Sequence, residues 1–155
     1  MTDRVLTALQ GGVLTGTLNR PEKRNAIDTA MIDALLAFLE RADLDAEVRV
    51  VALRGAGVDF CAGMDLNELL ASADQTVAEN RQAALHFGEI FLRMRQLPKP
   101  VVALVRGRAL ALTKQQFYRL EGVPFAEGIR LSADVNAVSR TTPDFRAALQ
   151  AFLKK

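Results

Sequence analysis

The 155-residue chain is predicted to adopt an α/β fold, and three observations point to this class. Short β-branched runs at 48–55 and 101–105 are typical of buried strands. Amphipathic stretches with helical spacing lie between these runs. The chain is 50% hydrophobic and 25% charged, which is the balance of a folded domain with its own core.

The N-terminal segment predicts a β-hairpin followed by a helix. The segments VLTALQ and VLTGTL flank Gly11 and Gly12, and a glycine pair between two such segments is typical of a tight hairpin turn. A charged loop, RPEKRNA, occupies 20–26. Asp28 is then placed to cap a helix. Its apolar face is formed at helical spacing by Ile32, Leu35, Leu36 and Leu39.

The stretch DFCAGMDLNEL, at 59–69, follows the predicted strand 48–55. Ala62 and Gly63 stand directly before a helix-like segment. Because small side chains let a ligand come close to the backbone, this junction is a candidate binding position.

A longer helix and a second strand are predicted next. A polar stretch at 71–82 leads into the helix, and Pro98 and Pro100 end it before the strand at 101–105. The apolar face of this helix is formed by Phe87, Ile90, Phe91, Met94 and Leu97.

The pattern changes after Gly107, where strand signals stop. Helices are predicted over 108–120 and 124–140, and Pro143 at a first helical position opens the last one. Its aligned apolar residues are Phe145, Leu149 and Phe152. The sequence therefore predicts an α/β core over 1–108 and a helical region over 109–155.

Composition argues against several partners. The net charge is +2, so the pI near 9.0 reflects a small excess of basic residues rather than a surface built for nucleic acid. One cysteine gives no intrachain disulfide and fits a reducing cytoplasm. The N-terminus is too polar for a signal peptide, and no apolar run reaches membrane-spanning length. No Cys/His cluster has metal-ligand spacing. A cytoplasmic protein without membrane, nucleic-acid or metal partners is expected.

Three linked segments resemble the enoyl-CoA hydratase/isomerase family, the crotonase superfamily. They are NRPEKRNAID (19–28), VVALRGAGVDFCAGMDLNEL (50–69) and LPKPVVALVRGRAL (97–110). Their order and spacing match the family over roughly 10–110, and the tail is similar to the family's C-terminal helices. The resemblance implies a crotonase-like (ClpP/crotonase) spiral α/β core, truncated, with C-terminal helices.

The resemblance also implies the chemistry. Family members bind an acyl-CoA thioester as substrate, with no permanently bound cofactor, and hydrate or isomerise a double bond beside it. Two backbone N–H groups stabilise the oxyanion at the thioester carbonyl. Ala62 matches the first of these donors. Residues implied to contact substrate or CoA are Glu22, Lys23, Arg24, Ala26, Ala62, Gly63, Met64 and Asp65. Assembly as a homotrimer or hexamer is implied as well.

The sequence departs from the family after Leu110. Leu112 stands where the second donor glycine is expected, and Gln115 stands where hydratases carry the first catalytic glutamate. Family members are also much longer, so the chain has either a large internal deletion after Leu110 or a middle segment that the present sequence omits. The alternative to an enzyme is a catalytically inactive remnant that acts in CoA binding or subunit assembly.

Several of these residues also have ordinary structural interpretations. Cys61 is a core filler rather than a nucleophile, since no base is paired with it in the sequence. His86 lies on the polar side of the long helix, so a catalytic role for it is not expected. Asp65 either faces substrate or simply caps a helix and forms a salt bridge. Lys23 and Arg24 either meet CoA phosphates or are solvated charges.

Overall fold

The computed structural model describes residues 3–105, 119, 122–143, 146–147 and 150. The chain divides into two compact units, Met1–Leu104 and Val105–Lys155. The domain boundary predicted at 108/109 stays a prediction, because it falls among residues 106–118, which lie outside the described part.

The first unit begins with the predicted hairpin. Strand β1 (Val5–Gln10) pairs antiparallel with β2 (Val13–Leu18). Gly11 and Gly12 connect them with φ values of 57° and 80°. Two successive left-handed residues match the twist of the flanking strands, which explains why glycine fills both positions. The hairpin is confirmed.

Within the described residues, the sheet has four strands in the order β1-β2-β3-β4. Strand β3 (Val50–Gly55) is parallel to both β2 and β4 (Val101–Ala103). The predicted parallel pairing of the two buried runs is therefore confirmed, although β4 ends at Ala103 rather than at 105. Parallel neighbours require long crossover connections, and helices supply them here.

Three helices belong to this unit: α1 (Thr29–Leu44), α2 (Leu66–Ser72) and α3 (Val77–Gln96). The carboxylate of Asp28 accepts a hydrogen bond from the N–H of Met31 at 2.8 Å, so the predicted cap is confirmed.

Helix α3 begins inside the polar stretch 71–82, whereas the sequence predicted that the helix follows this stretch. The Thr76 hydroxyl accepts from the Glu79 N–H at 3.2 Å, and the Glu79 carboxylate accepts from the Thr76 N–H at 2.8 Å. This reciprocal capping box fixes the helix start at Val77, inside the polar stretch, because it satisfies two backbone donors that otherwise lack partners.

The core of the unit lies between the sheet and the helices. From α3 only Ile90 is fully buried, while Phe87, Met94 and Leu97 are partly buried against the same cluster. Phe91 was predicted on this face but is 57% exposed and contacts Phe87 edge-to-face, with ring centroids 5.2 Å apart. The buried cluster consists of Leu14, Leu18, Met31, Ile32, Leu35, Phe38, Leu39, Ala42, Val48, Val51, Leu53 and Ile90.

The second unit contains helix α4 (Phe125–Arg140). Pro143 is again helical, as predicted for the start of the last helix. The helix predicted over 108–120, apart from residue 119, and the apolar row Phe145, Leu149 and Phe152 lie outside the described residues. Across the described helices, none is long and apolar enough to cross a membrane.

Candidate ligand-binding site

The charged loop 20–26, which holds four of the residues implied to contact substrate or CoA, has a constrained backbone. Pro21–Lys23 forms one turn of 3-10 helix, and Arg24 and Asn25 follow in the left-handed region with φ values of 50° and 56°. Asparagine tolerates this conformation better than most residues. The loop therefore turns back sharply towards the sheet.

Asn25 anchors the loop. The side chain is completely buried, and its oxygen accepts a hydrogen bond from the N–H of Arg20 at 2.9 Å. Its amide nitrogen donates to the carbonyl oxygens of Ala56 at 2.9 Å and Asp59 at 2.7 Å. The loop is thus joined to the segment that follows β3. The oxygen and the nitrogen of the buried amide both have hydrogen-bond partners.

The two regions predicted to contact ligand lie side by side. The N–H of Ile27 donates to the carbonyl oxygen of Gly63 at 2.8 Å, and the N–H of Asp65 donates to the carbonyl oxygen of Ile27 at 2.9 Å. These bonds form a parallel bridge between Ile27 and Met64. The structure therefore places 22–26 and 62–65 on adjacent backbone.

Ala62 presents an available backbone donor. The residue is exposed, and its N–H donates no hydrogen bond to any part of the chain that the structure describes. The next N–H, from Gly63, donates to the sulfur of Cys61 at 3.3 Å. That contact, with the partial burial of Cys61 against the core, agrees with the filler interpretation of the thiol.

Both carboxylate oxygens of Asp65 accept hydrogen bonds from other residues of the chain. One carboxylate oxygen accepts from the N–H of Asn67 at 2.9 Å and caps α2, and the other accepts from the guanidinium of Arg20 at 2.9 Å. The hydrogen bond from Asn67, followed by that from Arg20, lowers the pKa of Asp65 from its ordinary value of 3.8. The structural interpretation of this residue is thus the one that the geometry supports.

The charged residues of the loop remain at the surface. Glu22, Lys23 and Arg24 are exposed, and the guanidinium of Arg24 lies 4.0 Å from the carboxylate of Asp59. Ala26 is buried. Exposed cations next to the Ala62 segment are placed where an anionic ligand can reach them.

A cavity of about 460 Å³ lies between α1, α2 and α3, and Met64 contributes to its wall. Its lining is mainly apolar. At the wall, the Glu68 carboxylate accepts from the Thr29 N–H and hydroxyl, at 3.0 and 2.9 Å. The His86 ring nitrogen lies 2.8 Å from the Asp33 carboxylate. The cavity thus adjoins the segment that carries Ala62.

Sequence reasoning missed three features of this site: the buried Arg20, the buried Asn25 and the cavity. The only local signal for this turn was Asn25, which tolerates left-handed backbone and lies close to Pro21 in a loop. A charged or amide side chain in such a loop is normally solvated, so its burial was not visible. Within the described part of the chain, no group of three or more His, Cys, Asp or Glu is arranged to hold a metal ion.

Comparison with known proteins identifies the fold. The solved structure of an enoyl-CoA hydratase/isomerase from Xanthobacter autotrophicus is similar with a TM-score of 0.64 and 36% identity, over 67% of this chain and 39% of that one. An enoyl-CoA hydratase from Shewanella pealeana gives 0.65 and 30%, with the same coverage of each chain. The fold is therefore that of the crotonase class, of which the described residues cover a part.

The family model described as enoyl-CoA hydratase/isomerase matches residues 8–112. The chain is 34% identical over 110 residues to 1,2-epoxyphenylacetyl-CoA isomerase of Escherichia coli, covering 70% of this chain and 42% of that protein. It is 35% identical over 106 residues to the enoyl-CoA hydratase EchA19 of Mycobacterium tuberculosis, covering 68% and 40%. The chain belongs to the enoyl-CoA hydratase/isomerase family, as the resemblance predicted, and spans about 40% of the length of these relatives.

Proposed function

We propose that the chain binds an acyl-CoA thioester, with the N–H of Ala62 donating to the thioester carbonyl oxygen. The observation that carries this proposal is the N–H of Ala62, which finds no hydrogen-bond partner among the described residues. It lies on an exposed segment that backbone bonds to Ile27 hold in place. Glycine at 63 and alanine at 62 leave the backbone open to a ligand. The two relatives compared above are both named for reactions of CoA thioesters.

The proposed ligand extends from this contact in two directions. The nucleotide and phosphates of CoA lie along 22–26, where the exposed Lys23 and Arg24 supply positive charge. The acyl group enters the apolar cavity beyond Met64, whose volume of about 460 Å³ is sufficient for a medium-length or aromatic acyl chain.

The proposed chemistry is hydration or isomerisation of a double bond beside the thioester, in the full-length form. A preorganised donor aimed at a developing oxyanion is worth about 2.7–4 kcal/mol in a site that excludes water. The second donor and the first catalytic glutamate of the family correspond to Leu112 and Gln115, which lie outside the described residues, and the second glutamate has no counterpart in this sequence. Ala62 is therefore the one family donor that the described residues include.

A non-enzymatic role in CoA binding or subunit assembly is the alternative. It is favoured by Leu112 and Gln115, which stand where the family's second donor glycine and first catalytic glutamate are expected. Assembly as a homotrimer or hexamer fits the apolar side chains that α2 and α3 leave exposed, which are Leu66, Leu69, Leu70, Val77, Leu85, Phe91 and Leu92. Light scattering that shows only monomer at micromolar concentration contradicts this assembly.

The test follows the Ala62 amide directly. In ¹H–¹⁵N NMR spectra, crotonyl-CoA is expected to shift the Ala62 amide proton downfield, and CoA alone is expected to leave it in place, because only the thioester supplies the carbonyl acceptor. Ala62→Val, which blocks the close approach, is expected to weaken crotonyl-CoA binding at least about tenfold in calorimetry.

Ala46→Val is the matched control, since Ala46 is exposed in a turn away from the site. An unmoved Ala62 signal, or equal crotonyl-CoA affinity for wild type and Ala62→Val, contradicts the proposed contact.

A further inference from the structure

We propose that Arg20 is a positioning residue, which acts through Asp65 to hold the Ala62 N–H in the direction of the ligand carbonyl. This inference rests on the proposed binding of a thioester at Ala62. Arg20 is 8% exposed and lies in the loop that precedes α1, so it does not reach the ligand itself. Its effect on binding is therefore indirect.

The Arg20 side chain joins three parts of the site. One terminal nitrogen donates to the carbonyl oxygen of Ala26 at 2.8 Å and lies 3.1 Å from the carboxylate of Asp28. The other donates to Asp65 at 2.9 Å. The loop 20–26, the start of α1 and the start of α2 therefore meet at one guanidinium group, whose planar donors are rigidly spaced.

The charges around Arg20 balance. The Asp28 carboxylate also pairs with Arg4 at 2.9 Å, so Arg4, Asp28, Arg20 and Asp65 alternate in sign. A buried guanidinium is costly to desolvate unless its partners are in place. Removal of either Arg20 or Asp65 leaves an unpaired charge in the cluster, and the backbone that carries it is then expected to move.

Asp65 links the Arg20 side chain to the backbone segment that carries Ala62. Gly63 separates Ala62 from the bridge at Met64. Its φ is 93°, and a Cβ atom at this position would meet nothing within 4 Å, so no neighbouring side chain packs where it would stand. Two backbone bonds to Ile27 fix the segment from one side. The Arg20–Asp65 pair fixes it from the other, so the orientation of the Ala62 amide depends on that pair.

The experiment compares two ligands that differ at the carbonyl. Crotonyl-CoA carries the thioester oxygen, and S-(2-butenyl)-CoA, a thioether, lacks it. The ratio of their dissociation constants reports the contact with the Ala62 N–H. Calorimetry on wild type is expected to favour the thioester by about tenfold, the value of one well-placed hydrogen bond of about 1.4 kcal/mol.

The variants are Asp65→Asn, Arg20→Met and Arg20→Lys. The first two are expected to bring the ratio close to one. Thioether affinity is expected to stay within about twofold in Asp65→Asn, in which Arg20 keeps its contacts with Ala26 and Asp28. Arg20→Lys is expected to restore part of the ratio, because an ammonium can pair with Asp65 but lacks the spacing to reach Ala26 and Asp28 as well. Asp65→Asn keeps an oxygen acceptor for the α2 cap, so it decides the result if Arg20→Met fails to fold.

Lys99→Met is the control for general loss of stability, since the Lys99 hydrogen bonds seen within the described residues all go to the end of α1. It is expected to leave the ratio unchanged. A tenfold ratio in wild type that persists in Asp65→Asn and Arg20→Met overturns the positioning role and leaves the proposed function standing. A ratio of one in wild type overturns both, and an equal fall of the ratio in Lys99→Met overturns the positioning role.

Discussion

The ammonium group of Lys99 lies 2.6 Å from the carbonyl oxygen of Ala42, 57 residues earlier in the chain. It also donates to the carbonyl oxygens of Asp43 at 3.1 Å and Asp45 at 2.9 Å. Lys99 therefore satisfies the C-terminal carbonyls of α1 from the segment that enters β4. A cation at this end of a helix also meets the negative end of its dipole.

Loss of this contact is expected to lower stability. Lys99→Met keeps most of the side-chain volume but removes three donors, so the free energy of unfolding is expected to fall by about 1–3 kcal/mol. Urea denaturation measures the change. Arg81→Met is the matched control, because Arg81 is exposed and forms no ion pair with the described residues, and it is expected to change stability by less than about 0.5 kcal/mol. Equal effects of the two variants contradict the capping role.

Two glycine substitutions are expected to have opposite effects. A Cβ atom at Gly55 meets the carbonyl oxygens of Asp59 and Phe60 and the Asn25 amide at less than 3.0 Å, so Gly55→Ala pushes apart the segments that shape the site. A loss of about 2 kcal/mol or more is expected. At Gly88, inside α3, a Cβ meets nothing within 4 Å, so Gly88→Ala is expected to stabilise by up to about 1 kcal/mol.

Thermal and urea unfolding of the two variants, measured side by side, check this prediction. If Gly55→Ala is as stable as wild type, the backbone after β3 does not approach as closely as the structure shows.

Stability is expected to fall in acid partly because of Asp65. Its pKa is lowered in the folded chain by the Asn67 N–H and then by Arg20, so the unfolded chain takes up the proton more readily. The stabilisation is complete above the ordinary value of 3.8 and is lost as the pH falls through the lower folded value.

Asp65→Asn is therefore expected to lower Tm at pH 7 and to differ less from wild type near pH 3. Asp74→Asn, at an exposed carboxylate, serves as the control and is expected to show no such convergence. A Tm difference between Asp65→Asn and wild type that is the same at both pH values contradicts the assignment.

The 155-residue chain is expected to be a very poor hydratase. The family positions of the second donor and first glutamate carry Leu112 and Gln115, and an amide side chain cannot exchange a proton usefully near neutral pH. Loss of one oxyanion donor costs about 10²–10³ in rate, and loss of acid–base groups costs about 10²–10⁴.

Hydration of crotonyl-CoA is the assay, with protein of confirmed mass 16.9 kDa and a full-length relative measured alongside. Turnover equal to that of the relative shows that another carboxylate has been recruited and that the deletion argument is wrong.

Local sequence signals predicted much of the fold. The Gly11-Gly12 turn, the Asp28 cap and the β-branched runs each act over a few residues, so their structural result was predictable. The start of α3 was predicted too late in the sequence. The Thr76–Glu79 capping box is a local signal, but it lies inside a polar stretch, and polarity alone predicts a loop there.

The candidate site was located by resemblance, which brought together 22–26 and 62–65. The sequence by itself determined the order of the helices and strands, because local patterns of neighbouring residues specify them. It also determined that a ligand can come close to the backbone at 62 and 63, because the side chains there are small. Only the tertiary structure decided that Arg20 is buried between Asp28 and Asp65, and that a cavity opens beyond Met64. Those features depend on contacts between residues up to 53 positions apart, and the energy of a buried charge is set by the partners that folding brings to it.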